Sequence, residues 1–144
     1  MNTEELTEIP KVKIDPNVPF EHILELPYHG NFFIGESVPS PDANVGLQGF
    51  PAGEIGVWRF WHPEVHYVLK GRAEITYSLP GFHLEKKTMQ VEPYDCYVVP
   101  RGADLQFKPE SGETLRELYV AIPKEPIYHD MRPEVLRKIK PVFT

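Results

Sequence analysis

A single cysteine, Cys96, in 144 residues excludes an internal disulfide and any cysteine-rich zinc pattern. It falls in the strand-like run Cys96 to Val99, where a buried, inert thiol is expected. No apolar run approaches the ~20 residues of a membrane span. The opening Met1-Asn-Thr-Glu-Glu lacks the basic start and apolar core of a signal peptide, so a cytoplasmic protein without membrane contact is expected. Basic charge is also scarce: with a formal charge of −6, a pI of about 5.5 and only short pairs such as Lys86-Lys87 and Arg137-Lys138, no basic stripe is present to neutralise phosphates. Nucleic acid is therefore not an expected partner. A Gly-rich phosphate loop, a serine nucleophile elbow and a His-Glu-x-x-His run are all missing, which removes nucleotide-dependent, serine-hydrolase and zincin readings.

What remains is an ordinary globular composition, 41% hydrophobic and 12% aromatic, in a length that suits one domain with a real core. The most informative stretch is Gly56 to Tyr77, which sets ionisable groups among aromatic ones. Val65 to Leu69 and Ala73 to Tyr77 are rich in β-branched and aromatic residues, and Gly71 between them is able to take φ > 0, so the run reads as strand, turn, strand. Alternation then places Glu64, His66 and Val68 on one face, and Val65, Tyr67 and Leu69 on the other. Pro63 sits badly inside a central strand, so Trp61-His62-Pro63 reads as a bend or an edge. If that bend turns back to the same cavity, His62, Glu64 and His66 converge.

The run from Glu64 to Gly71 resembles the second half of the first cupin motif, in which a glutamate precedes a glycine at a hairpin turn. Phe50-Pro-Ala-Gly53 is similar to the Pro-x-Gly that introduces it. Val91 to Gly102 resembles the second motif, with Asp95, Pro100 and Gly102 in register and Tyr94 where a glycine is usual. The resemblance covers residues 50 to 108 and implies an all-β fold, a cupin-type conical β-barrel (jelly roll). Of the family's metal ligands only Glu64 is present. The paired histidines fall on Trp58 and Phe60, and the histidine of the second motif falls on Leu105, none of which offers a lone pair to a metal. No cofactor is expected on this basis; a divalent metal at a rearranged His62, Glu64, His66 site is the alternative.

Along the rest of the chain, residues 1–19 read as an N-terminal arm whose alternating Lys11-Val-Lys-Ile14 suits a strand added to a sheet edge of this chain or of a second copy, and a homodimer is expected. Residues 20–126 form the barrel. Phe20 to Leu26, Asn31 to Gly35 and Asn44 to Phe50 are apolar pieces around the turn-forming Ser37 to Asn44, while Leu84 to Val91, Tyr97 to Val99, Leu105 to Lys108 and Leu115 to Ile122 continue the strands. In the last, Leu115, Glu117, Tyr119 and Ala121 share a face. Residues 127–144 form a helical extension around Pro133 to Ile139, with Val135, Leu136 and Ile139 on its apolar side. His22 and His29 receive no role.

A buried carboxylate without a cation is costly, so an inward Glu64 should have a partner or a task. The catalytic candidates are Glu64, His66 and His62, weighed against a polar strand edge satisfied by water and backbone. Trp58 and Phe60 suit either core packing or an aromatic wall for a flat ligand; Leu105, Tyr97 and Tyr119 are the other ligand-binding candidates, and Arg101 and Asp104 are expected at the surface. An apolar cavity raises a carboxyl pKa and lowers an imidazole pKa while proximity pulls each back, an arrangement suited to proton transfer near neutrality. Three readings follow: a lyase, isomerase or hydratase acting on a small molecule, a divalent-metal enzyme such as a dioxygenase with shifted ligands, and a non-catalytic ligand-binding barrel.

Overall fold

In the computed structural model, two antiparallel sheets are built outward from the central hairpin; residues 7–18, 23–26 and 30–122 are described. The hairpin joins β5 (Glu64–Lys70) to β6 (Ala73–Ser78), one strand in each sheet. Around β5 lies a six-stranded sheet in the order β1 (Ile23–Leu26), β2 (Gly30–Ser37), β3 (Asn44–Phe50), β10 (Leu115–Ala121), β5 and β8 (Cys96–Val99). Around β6 lies a four-stranded sheet in the order β4 (Gly56–Arg59), β9 (Asp104–Pro109), β6 and β7 (Lys87–Val91). This is the expected jelly-roll barrel. Among the described residues no helix is long and apolar enough to cross a membrane. The helix expected at Pro133 to Ile139, and His22 and His29, lie outside the described residues.

Glycine is required at the hairpin for two reasons. Gly71 has φ +85°, and a Cβ there would stand 2.1 Å from the carbonyl oxygen of Thr114, just before β10. The bare backbone therefore lets the turn close onto the chain that enters the neighbouring strand. Tyr94, at the position where glycine is usual, takes the left-handed conformation anyway, with φ +77°, and is the one non-glycine residue among those described to do so. Its amide donates to the Val68 carbonyl at 2.7 Å, tying the turn before β8 to β5.

The inner faces meet in one apolar core. Phe50, Val68, Ile75, Phe107 and Leu115 are nearly or wholly buried, and Phe50 stacks on Phe107 with ring centroids 4.2 Å apart. Trp58, Phe60 and Leu105 belong to the same cluster. Alternation along β10 buries Leu115, Glu117, Tyr119 and Ala121, as expected. A register shift between Arg116 and Glu117 against β5 then sets Glu117 opposite Val68, Tyr119 opposite His66 and Ala121 opposite Glu64.

Several sequence expectations change. Cys96 is exposed rather than buried, because alternation in β8 points Tyr97 and Val99 inward and leaves Cys96 and Val98 outside. Asp104 is buried, not at the surface: the Arg59 guanidinium, directly across the β4–β9 pair, holds its carboxylate through two hydrogen bonds of 2.6 and 2.8 Å. Arg101 is exposed as expected and donates to the Trp61 carbonyl at 2.9 Å. β7 starts at Lys87, since residues 80–85 are turn and Leu84 is exposed. Lys11 to Ile14 is in no strand of this chain; instead residues 15–18 reach β5 and β10, where Lys70 Nζ donates to Asn17 Oδ1 at 2.8 Å and Arg116 donates to the Val18 carbonyl.

Candidate functional site

Glu64 and His66 point inward because β5 alternates, and both are buried at 2% and 0% exposure. After β4 the chain is tied to the segment before β9 by the Phe60 amide on the Ala103 carbonyl and the Gly102 amide on the Phe60 carbonyl. It then bends at Trp61-His62-Pro63 and brings His62, also fully buried, back to the same place. His66 Nε2 donates to Glu64 Oε1 at 2.8 Å, and His62 Nε2 lies 3.4 Å from Glu64 Oε2. The expected convergence of the three is present.

The cluster extends to Tyr97, a ligand-binding candidate in the sequence, and to Glu117 and Gln48, which were not candidates. Tyr97 from β8 donates its hydroxyl proton to Glu117 Oε2 at 2.5 Å and lies 2.9 Å from His66 Nδ1. His66 thus has a polar partner on each ring nitrogen, Glu64 on Nε2 and Tyr97 on Nδ1. Gln48 from β3 donates to Glu117 Oε1 at 3.2 Å. Glu117 and Gln48 come from strands distant in sequence from β5 and are brought in by the β3–β10–β5 pairing. The signal for Glu117 was its shared parity with Tyr119; Gln48 had none.

Electrostatics follow from this packing. Burial pushes the Glu64 carboxyl up, but His62 and His66 together hold it below its ordinary value. Burial pushes His66 down, yet the Glu117 charge and the Glu64 hydrogen bond and charge together raise it. Glu117 goes the other way: burial outweighs His66, Tyr97 and Gln48 and raises its pKa. Burial and the Glu117 charge push Tyr97 well up, and burial with the Glu64 charge pushes Tyr119 up to about 12, so both phenols stay neutral near pH 7. The expectation that Glu64 titrates nearer neutrality is corrected by its two imidazole partners.

Glu64 opens onto a cavity between the sheets with an empty volume of about 500 Å³, part of it open to solvent. Trp58, Phe60 and Tyr119 line it, with Phe32, Phe50 and Phe107 adding further ring surface. Leu105 does not: with the Tyr97 ring it lines a second cleft of about 460 Å³ beside β7 and β8. Tyr97 thus has its hydroxyl in the Glu64 cluster and its ring in the other cleft.

The positions that carry metal ligands in the resemblance hold Trp58, Phe60 and Leu105, all packed in the core and without donor lone pairs, so they do not fit a metal. At the rearranged set, each histidine directs a nitrogen at the Glu64 carboxylate. Among the described residues no group of three His, Cys, Asp or Glu is arranged to hold a metal ion.

A scan against protein-family models finds no match to the chain, and a search of curated proteins finds none. Solved structures do match. The polyketide cyclase RemF from Streptomyces resistomycificus aligns with a TM-score of 0.58 at 14% identity over 85% of this chain and 99% of its own. A predicted oxalate decarboxylase from Thermotoga maritima aligns with a TM-score of 0.56 at 14% identity, over 78% and 100%. An RmlC-like cupin family protein with a double-stranded beta-helix fold from Methanocaldococcus jannaschii gives 0.55 at 11%, over 83% and 94%. The chain has the cupin fold, and the resemblance read from residues 50 to 108 is supported by these structures.

Proposed function

We propose that the protein is a small-molecule enzyme of lyase, isomerase or hydratase type in which Glu64 exchanges a proton with a ligand in the aromatic cavity. The observation that carries this reading is Glu64 itself, a buried carboxylate against two imidazoles and, among the described residues, the one acidic side chain lining that cavity. Taking such a charge out of water costs several kcal/mol, and an apolar residue of similar volume is often at least as stabilising, so packing alone does not account for it. A polyketide cyclase among the fold's neighbours is in keeping with a small-molecule site.

Held ionised, Glu64 is ready to accept a proton. Its lowered pKa makes it a mild base, suited to an O–H or to a C–H activated by a neighbouring carbonyl. His66, at 2.8 Å, is the proton partner, and His62 is a second one on the other oxygen. Tyr97 and Glu117 act through His66 and are positioning residues: Tyr97 fixes its ring plane, and the Glu117 charge favours its protonated form. Trp58, Phe60 and Phe107 keep the surroundings of the carboxylate apolar. A homodimer involving the N-terminal arm belongs to the same proposal, and light scattering that returns the mass of one chain would count against it.

The test is solvent exchange. Wild type and Glu64→Gln are incubated in D₂O with a panel of cyclic ketones, enols and hydroxylated rings. Deuterium incorporation is expected with wild type, reduced ~10²-fold or more in the variant, the scale of a lost general acid or base. Equal rates in both across the panel would refute the acid/base reading and favour a non-catalytic binding barrel.

A further inference from the structure

The cavity wall combines ring surface with one carboxylate acceptor, Glu64. Among the described residues the wall's side chains with charge or a hydrogen-bonding oxygen are Glu64, Gln48 and Tyr119, and none that line it is lysine or arginine. Gln48 turns its Nε2 toward Glu117, which leaves its amide oxygen as an acceptor. Glu64 already accepts from His66, but an ionised carboxylate has about four lone-pair sites and takes further donors.

Charge narrows the ligand. An anion would meet the Glu64 carboxylate in a poorly screened apolar wall that offers it no lysine or arginine among the described residues. A cation would lose its hydration to approach a carboxylate that His66 and His62 already face. A neutral ring avoids both costs, and one hydroxyl on it supplies a donor that the Glu64 carboxylate accepts.

We propose that the cavity takes a neutral, ring-containing hydroxyl compound, such as a phenol, naphthol or cyclic enol, that packs among Phe32, Phe50 and Trp58 and donates its O–H to Glu64. The inference rests on the reading of this cavity as the ligand site, and it names the substrate class. Its readout is binding alone, whereas the proton-transfer reading is tested by exchange, so the two fail on separate measurements.

The probes are 2-naphthol, 2-naphthoate, 2-methylnaphthalene and 2-naphthylmethylammonium, titrated into the full chain by NMR. The chain has two tryptophans, so two indole N–H signals report position: Trp58 in the cavity wall and Trp61 exposed outside it. The expected result is a shift at Trp58 and not Trp61, with 2-naphthol binding about tenfold or more tightly than each of the other three, the scale of one hydrogen bond to a charged group. Glu64→Gln should weaken 2-naphthol and narrow its advantage over 2-naphthoate. The wild-type series decides even if that variant does not fold. Tighter or equal binding of 2-naphthoate, of the ammonium or of 2-methylnaphthalene would overturn the inference, as would a shift at Trp61 alone or no binding by any of the four.

Discussion

Replacing Gly71 and Gly53 by alanine, one at a time, separates two reasons for glycine in a turn. Both have left-handed backbone, with φ of +85° and +78°. Each alanine carries about 1–2 kcal/mol of Cβ strain, partly offset because a stiffer unfolded chain returns about 0.5–1 kcal/mol. At Gly53 nothing lies within 4 Å of the added Cβ. A loss of about 0.5–1 kcal/mol is expected there. At Gly71 the Cβ would stand 2.1 Å from the Thr114 oxygen and 2.8 Å from its carbonyl carbon, where ordinary contact begins near 3.4 Å. The hairpin and the segment entering β10 must part by roughly 1 Å, an overpacking cost of about 1–3 kcal/mol more. Gly71→Ala should therefore lose about 2–4 kcal/mol in total. Urea unfolding followed by circular dichroism measures both. Equal losses in the two variants would show that the approach to Thr114 is not what Gly71 is needed for.

The remaining predictions concern the buried charges. In Glu64→Gln the His66 ring should titrate at lower pH than in wild type, because a raising partner is lost; an unmoved NMR titration would show that the carboxylate does not act on the ring. Stability should depend on pH on both sides. The part due to Glu64, whose folded pKa is lowered, is present above its ordinary 4.5 and lost as pH falls through the folded value. The part due to His66, whose folded pKa is raised, is present below 6.5 and lost as pH rises through the folded value; thermal melts of His66→Gln should lack that alkaline loss. Arg59→Ala leaves Asp104 buried without its main cation and should cost about 3 kcal/mol in denaturant unfolding; a loss below about 1 kcal/mol would mean that His83, 3.2 Å away, suffices. Protein purified without chelator should hold well below one metal per chain by elemental analysis, and a stoichiometric metal lost in His62→Ala or His66→Ala would establish the rearranged site.

Legibility in the sequence followed distance along the chain. The hairpin, the inward pair Glu64 and His66, and the bend at His62 depend on alternation and turn chemistry within a short run, and all were readable. Glu117 and Gln48 were not, because their role arises from strand pairing between β3, β10 and β5. The burial of Asp104 depends in the same way on Arg59 lying across a strand pair. The turn at Tyr94 shows the converse: a motif position usually filled by glycine keeps its left-handed backbone when a tyrosine stands there, because surrounding pairing over-determines it.

Cys96 and Tyr97 are sequence neighbours on opposite faces of β8. A fluorine label or dye attached to the one thiol of the chain would sit in solvent, one peptide unit from the tyrosine whose hydroxyl joins His66 to Glu117. The molecule thus offers a reporter on its outer wall for events in its interior, with no second cysteine to remove and no cavity residue altered to install it.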